Sequence, residues 1–222
     1  MTFLPVADAY DRWSKFYDSY ENVMVFMASE IVKRSVAPGV NGASVFEFGC
    51  GTGRNLAALR DAGAATVPGC DFSEGMLSVA RERRGLPDVF AHDMREPLTE
   101  IDSGSVDLAL FCLSLEHVED MLAPVREAVR IVRPGRGRIV IVEIHPFMSL
   151  SGVAAHFDDQ GEEIRMPAYP HQFSAYQDVF ASLKLLATCR EWRPRDVGNP
   201  PQLRHVSRGE SFPLAVEFSI ML

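Results

Sequence analysis

The most constraining stretch of the chain is Val45-Phe46-Glu47-Phe48-Gly49-Cys50-Gly51-Thr52-Gly53-Arg54-Asn55-Leu56. A short apolar run stops at three spaced glycines and passes at once into Leu56-Ala57-Ala58-Leu59-Arg60, which has helical spacing, so the pattern predicts strand, tight turn, helix. Glycine suits such a turn because it adopts positive φ freely and, lacking Cβ, lets a ligand approach the backbone. A helix starting directly behind the turn aims unpaired N–H groups at whatever sits there and favours an anion. The stretch therefore predicts a ligand cradle at the edge of an α/β sheet.

Spacing narrows the ligand. A dinucleotide fingerprint, Gly-x-Gly-x-x-Gly/Ala, needs a small residue where this chain has Arg54, which disfavours a nicotinamide oxidoreductase. The pattern is instead Glu-x-Gly-x-Gly-x-Gly, with Glu47 at the strand end. It resembles the first motif of class I S-adenosylmethionine (SAM) dependent methyltransferases. Asp71 ends a second apolar segment 22 residues beyond Gly49, close to the spacing of about 20 expected for a carboxylate that takes the hydroxyls of a ribose. Ala65 to Asp71 is expected to be a strand, although Pro68 removes a ladder donor from it.

Later motifs extend the resemblance from about Tyr10 to Ile144. Tyr10-Asp11 and Tyr17-Asp18 look like the paired Tyr-Asp segment with which many small methyltransferases open. Phe72-Ser73-Glu74-Gly75-Met76-Leu77 has the form of the family's second helix, with Ser73 a plausible N-cap. Arg133-Pro134-Gly135, ahead of an apolar strand, is its late motif, with Arg136 in place of the usual second glycine. The resemblance implies SAM as cofactor. Its site would comprise Glu47 and the backbone of Gly49, Cys50 and Gly51, with Asp71 on the ribose. Phe72, Met76, Asp93 and Met94 would lie around the adenine, Cys112 and Leu113 at the end of the fourth strand, and Tyr17 over the amino-acid part.

Composition bounds the alternatives. The chain has 222 residues, 47% hydrophobic and 23% charged, which suits one soluble α/β domain. No run is long enough to span a bilayer, and no signal peptide is evident, so a cytoplasmic protein without membrane partners is expected. The net charge of −8 offers no basic field for nucleic acid. Four scattered cysteines without a Cys-x-x-Cys pair suggest neither zinc nor redox chemistry. His145 and His156 with Asp158 and Asp159 match no compact metal motif, and no metal is expected. Oligomeric state is left open, a homodimer included.

The rest of the chain reads as follows. Tyr10 to Tyr20 predicts an amphipathic helix with one aromatic face, followed by a helix over Val23 to Val36. Strand and helix then alternate five times, which argues for a doubly wound, mostly parallel sheet. A final hairpin, Leu185 to Trp192 with Leu214 to Leu222, would complete the seven-stranded, Rossmann-like sheet implied by the resemblance, its last strand antiparallel. Arg193 to Pro213 reads as a long loop. One domain is expected, with residues 1–40 a helical lid, 43–144 the SAM-binding core, and 145–222 a substrate-side segment with the closing strands.

Methyl transfer would then reach an oxygen, nitrogen or carbon nucleophile of a small metabolite, work done mainly by alignment and exclusion of water. A module that holds the cofactor without transferring its methyl is the alternative. His117, just past the fourth strand, is the candidate general base, because its ordinary pKa lies near working pH. His145, His156, Tyr169 and His171 are expected to line the acceptor pocket.

Overall fold

The computed structural model describes residues 1–198, 200–203 and 209–222. The N-terminal segment forms β1 (Thr2–Phe3), α1 (Val6–Trp13), a 3₁₀ turn over Tyr17–Ser19 and α2 (Val23–Ile31), which widens into a π turn over Val32–Val36. The core follows as β2 (Val45–Phe48), α3 (Arg54–Asp61), β3 (Gly69–Asp71), α4 (Glu74–Arg84), β4 (Val89–Ala91), β5 (Leu108–Cys112), α5 (Leu122–Ile131) and β6 (Arg138–Ile144). Then come α6 (Pro146–Leu150), β7 (His156–Asp159), β8 (Glu162–Arg165), α7 (Phe173–Ser182), β9 (Ala187–Trp192) and β10 (Ala215–Met221).

Seven strands make one sheet in the order β4-β3-β2-β5-β6-β10-β9. From β4 to β6 all neighbours are parallel, and β10 runs antiparallel to both β6 and β9. This is the doubly wound α/β sheet expected, with its antiparallel closing strand. Alternation along each strand feeds two cores. On one face Leu108, Leu110, Val140 and Val142 meet Met24, Met27 and Ile31 of α2. On the other, Phe46, Phe48, Phe111 and Ile141 meet Val125 of α5 and Tyr176 and Phe180 of α7, with Phe48 and Phe111 stacked at 4.6 Å. Strand order reverses between β2 and β5, so a crevice opens past their carboxyl ends, where open α/β sheets bind ligands.

Three expectations change. The second strand is confined to Gly69–Asp71, because Pro68 lacks the N–H a ladder needs. Its carbonyl instead accepts from Glu47 N at 3.2 Å. The aromatic face spanning Tyr10 to Tyr20 comes from two elements, since α1 stops at Trp13 and the chain turns before Tyr17. The substrate-side segment after Ile144, for which no strand is expected before the closing pair, contains β7 and β8 paired as a hairpin, and β1 adds parallel to β8, giving a second, three-stranded sheet. The loop expected over 193–213 contains 3₁₀ turns at Pro194–Val197 and Pro201–Leu203, while residue 199 and residues 204–208 lie outside the described residues.

Candidate active site

A cavity of about 500 Å³ fills the crevice between the sheet's carboxyl edge and the N-terminal segment. Its floor is the glycine turn. Gly49, Gly51 and Gly53 have φ of 70°, 55° and 73°, the left-handed region where side chains are strained. A Cβ at Gly49 would sit 2.6 Å from Ser114 Cβ, so the bare backbone is required there by packing. At Gly51 nothing lies within 4 Å, and the chain presents open backbone to the cavity. Leu113, on the neighbouring loop, also has positive φ, at 54°. Strain of this kind in a non-glycine residue gathers at functional sites.

The carboxylates at the carboxyl ends of β2 and β3 and just past β4 share this cavity: Glu47, Asp71 and Asp93 all line it. Asp71 accepts from Gly51 N at 2.8 Å and Ser73 N at 2.9 Å, one bond on each oxygen, so it ties the glycine turn to the start of α4 and keeps lone pairs for a ligand. Burial raises its pKa, and those backbone donors oppose the rise. Glu47 is 1% exposed, and Oε1 accepts from Asn55 Nδ2 at 2.7 Å while Oε2 has no partner. Burial pushes its carboxyl up to about 8. Asp93 differs. Arg95 grips it through Nε at 2.9 Å and Nη2 at 2.5 Å, and this guanidinium holds the carboxyl below its usual range.

The roof is attached by the two Tyr-Asp pairs. Tyr10 and Tyr17 line the cavity, and the aspartate beside each clasps the core. Asp11 Oδ1 accepts from Ser73 Oγ at 2.6 Å and Gly75 N at 2.8 Å. Asp18 accepts from Thr52 Oγ1 at 2.8 Å and Arg84 Nη2 at 2.6 Å. From above, Trp13 stacks on Phe157 of β7 at 4.7 Å, and Arg12 pairs with Asp159 and with Glu162 of the hairpin.

His117 stands at the far wall. Its Nε2 lies 3.0 Å from Tyr10 Oη and its Nδ1 2.8 Å from the Pro167 carbonyl. The loop that carries it is fixed from below by Glu143, which accepts from Ser114 N at 3.0 Å and Leu115 N at 2.9 Å. Burial, with Glu116 nearby, pushes Glu143 up to about 8. Burial pushes Glu116 up to about 7, and it lowers His117.

Of the residues expected at the site, Tyr17, Glu47, Gly49, Cys50, Gly51, Asp71, Phe72, Met76, Asp93, Met94, Cys112, Leu113, His117 and Tyr169 line the cavity. Three histidines do not. His145 is buried, accepts from Phe147 N as the cap of α6, and bonds Glu191 at 3.2 Å. His156 is exposed on β7, with Nδ1 on the Ala154 carbonyl. His171 spends Nε2 on the Val118 and Leu115 carbonyls, bracing the His117 loop from outside. Local sequence missed Tyr10, Arg54, Asn55 and Ser114 as members of the wall. Position 54, one residue into the helix behind the turn, was a usable signal for Arg54. The others follow only from folding.

Among the described residues, no group of three or more His, Cys, Asp or Glu is placed to hold a metal ion, and no helix is long and apolar enough to cross a membrane.

Residues 46–141 match the family model described as a methyltransferase domain. The chain is 31% identical over 142 residues to the demethylmenaquinone methyltransferase of Streptomyces griseus, covering 62% of this chain and 60% of that protein. It is 36% identical over 143 residues to that of Clavibacter sepedonicus, covering 64% and 56%. The chain thus spans about three fifths of the length of these relatives. Among solved structures, a SAM-dependent methyltransferase from Mesorhizobium loti superposes with a TM-score of 0.68 at 21% identity, over 89% of this chain and 99% of that one. The phosphoethanolamine N-methyltransferase 2 of Haemonchus contortus gives 0.67 at 16% identity, over 98% and 60%. Both share the fold.

Proposed function

We propose that this chain, whose residues 46–141 match the methyltransferase-domain model, is a class I SAM-dependent methyltransferase that transfers the methyl group of SAM to a nucleophilic oxygen, nitrogen or carbon of a small metabolite. The observation that carries the reading is the meeting of Glu47, Asp71 and Asp93 on one cavity around an exposed glycine backbone. The residues present fit the cofactor. Glu47 Oε2 and Arg54 Nε are buried polar atoms without partners, one an acceptor and one a donor. An ammonium and a carboxylate on the same amino acid satisfy both. Asp71 would take the ribose hydroxyls through its remaining lone pairs. Phe72, Met76, Asp93 and Met94 would enclose the adenine. Tyr17 offers a ring face to a sulfonium cation.

SAM would supply a methyl carbon already activated by positive sulfur. The chain supplies alignment and a closed cavity: the glycine turn and Asp71 fix the nucleoside, the Tyr-Asp roof excludes water, and the loop 113–118 walls the acceptor side. The whole chain is read as one domain, with residues 1–40 as the lid, 43–144 holding the cofactor and 145–222 closing the acceptor side. Names of the curated relatives point to a quinone ring in its reduced, dihydroxy form, the form that is nucleophilic, as the first acceptor to try. Titration calorimetry tests the premise: SAM should bind at micromolar concentration, and Asp71→Ala should weaken it at least tenfold. No binding by the parent protein would overturn it. Transfer is tested by following radiolabelled methyl from SAM into any organic product.

A further inference from the structure

We infer that Tyr10 and His117 form a proton relay, Tyr10 taking a proton from the acceptor and His117 taking the proton of Tyr10, so that the acceptor is a hydroxylated aromatic compound. The inference rests on the methyltransferase reading. It starts from the hydrogen bonds of one imidazole. A carbonyl oxygen only accepts, so the 2.8 Å contact of His117 Nδ1 with the Pro167 carbonyl puts the ring proton on Nδ1. Nε2 is then a bare acceptor, and Tyr10 Oη at 3.0 Å donates to it. The phenol oxygen keeps its lone pairs, and Tyr10 lines the cavity. A group that already hands its proton to a base can receive one at the same oxygen.

Burial disfavours an imidazolium at His117, while the Pro167 carbonyl on Nδ1 and the Asp71 carboxylate favour it, so the charge is held only transiently. The His117 side chain is 7% exposed, and the Glu116 carboxyl, 12% exposed, lies 3.9 Å from Nε2. Asp71 acts on the ring from β3, while Tyr17, Glu116, Asp71 and Glu143 face Tyr10. These acids oppose a free phenolate at Tyr10, so its own proton must leave as the new one arrives. The balance is as follows. The acceptor O–H breaks and its electron pair stays on the acceptor. The proton passes to Tyr10 Oη and the Tyr10 proton to His117 Nε2. The acceptor, through oxygen or through the ring carbon that shares the pair, bonds the methyl carbon, and the carbon–sulfur pair returns to sulfur; in the ring-carbon case that carbon then loses its own hydrogen as a proton to solvent, its C–H pair restores the aromatic ring, and the acceptor oxygen takes a proton back. His117 afterwards releases its proton to solvent. The wall beside the relay, Val6, Leu113, Val118, Pro167 and Tyr169, is apolar or aromatic and suits a flat ring.

Two readouts test this. In histidine-¹⁵N-labelled protein, the His117 nitrogens should report a protonated Nδ1 and a bare Nε2 at pH 7.5, and Tyr10→Phe should shift the Nε2 resonance. A bare Nδ1, or an Nε2 resonance unmoved by Tyr10→Phe, overturns the relay whatever the activity. In the second, release of S-adenosylhomocysteine is followed with 1,4-naphthalenediol, catechol and benzylamine. The diols should be methylated, and Tyr10→Phe and His117→Gln should each lower kcat roughly 100-fold while SAM affinity by calorimetry stays within about twofold. The double variant should be no worse than either single one, as expected of groups acting as a unit. Losses that multiply, a kcat loss below about threefold, or SAM bound with transfer to benzylamine alone or to none of the three, overturn the inference. Absence of SAM binding in the parent protein instead sinks the methyltransferase reading, and the nitrogen resonances still decide the hydrogen-bond arrangement.

Discussion

Asp11 and Ser73, 62 residues apart in sequence, meet at 2.6 Å, and the same Asp11 oxygen takes Gly75 N at 2.8 Å. Ser73 Oγ in turn accepts from Met76 N at 3.1 Å, so the side chain that holds α1 also caps α4. Glycine at 75 is needed for the approach, since a Cβ there would lie 3.0 Å from Asp11 Cα. The N-terminal segment and α4 are therefore one hydrogen-bonded unit at the edge of the cavity.

Asp11→Ala should undock the N-terminal segment without unfolding the sheet. It removes two charge-assisted bonds, each worth roughly 1.5–3 kcal/mol at most. The expected result is a loss of about tenfold in SAM affinity and faster proteolysis near residues 14–20. Calorimetry and limited trypsin digestion measure the two. Unchanged affinity would show that the lid does not contribute to binding.

Gly49 and Gly51 separate packing from ligand access. Alanine at either pays the left-handed cost of about 1–2 kcal/mol. At Gly49 the new methyl also meets Ser114 at 2.6 Å, so melting temperature and SAM affinity should both fall. At Gly51 the methyl enters open cavity, so SAM affinity should fall at least tenfold with a melting temperature close to that of Gly49→Ala or above it. Differential scanning fluorimetry with calorimetry distinguishes them.

Arg54→Met should weaken S-adenosylhomocysteine by about tenfold or more and leave 5′-methylthioadenosine, which lacks the amino acid, within about twofold. Equal losses for the two ligands would move Arg54 from a carboxylate contact to a structural role.

Stability of the ligand-free protein should fall as pH rises from 6.5 to 8.5. Glu47 and Glu143 are pushed up to about 8 and Glu116 to about 7, so the fold retains protons that the unfolded chain has released above about pH 4.5. A raised carboxyl contributes stability that is complete below its unfolded value and is lost as pH passes its folded value. His117, lowered by burial, opposes this trend only below about 6.5. A melting temperature lower by about 5 °C at pH 8.5 is expected. Glu47→Gln should flatten the slope, and a rise in stability with pH would contradict the burial of these acids.

Local sequence determined the parallel core and the ligand turn, because both are written in short-range chemistry: short continuous apolar runs, glycines where φ must be positive, and acids where strands end. Glu47, Asp71 and Asp93 were legible for that reason, each lying at or just past a strand end in a fold whose crevice position follows from strand order. Only tertiary structure decided which side chains of the roof and the far wall meet. Nothing near Tyr10 or His117 in the chain says that a phenol and an imidazole 107 residues apart stand at 3.0 Å. Nor does the chain mark His145 and His171 as bonded away from the cavity while Arg54 turns into it. Those placements depend on the hairpin β7–β8 carrying Phe157 onto Trp13 and on Pro167 bringing its carbonyl to His117. Contacts made across so many residues are set by packing and by hydrogen bonds that exist only once the chain has folded.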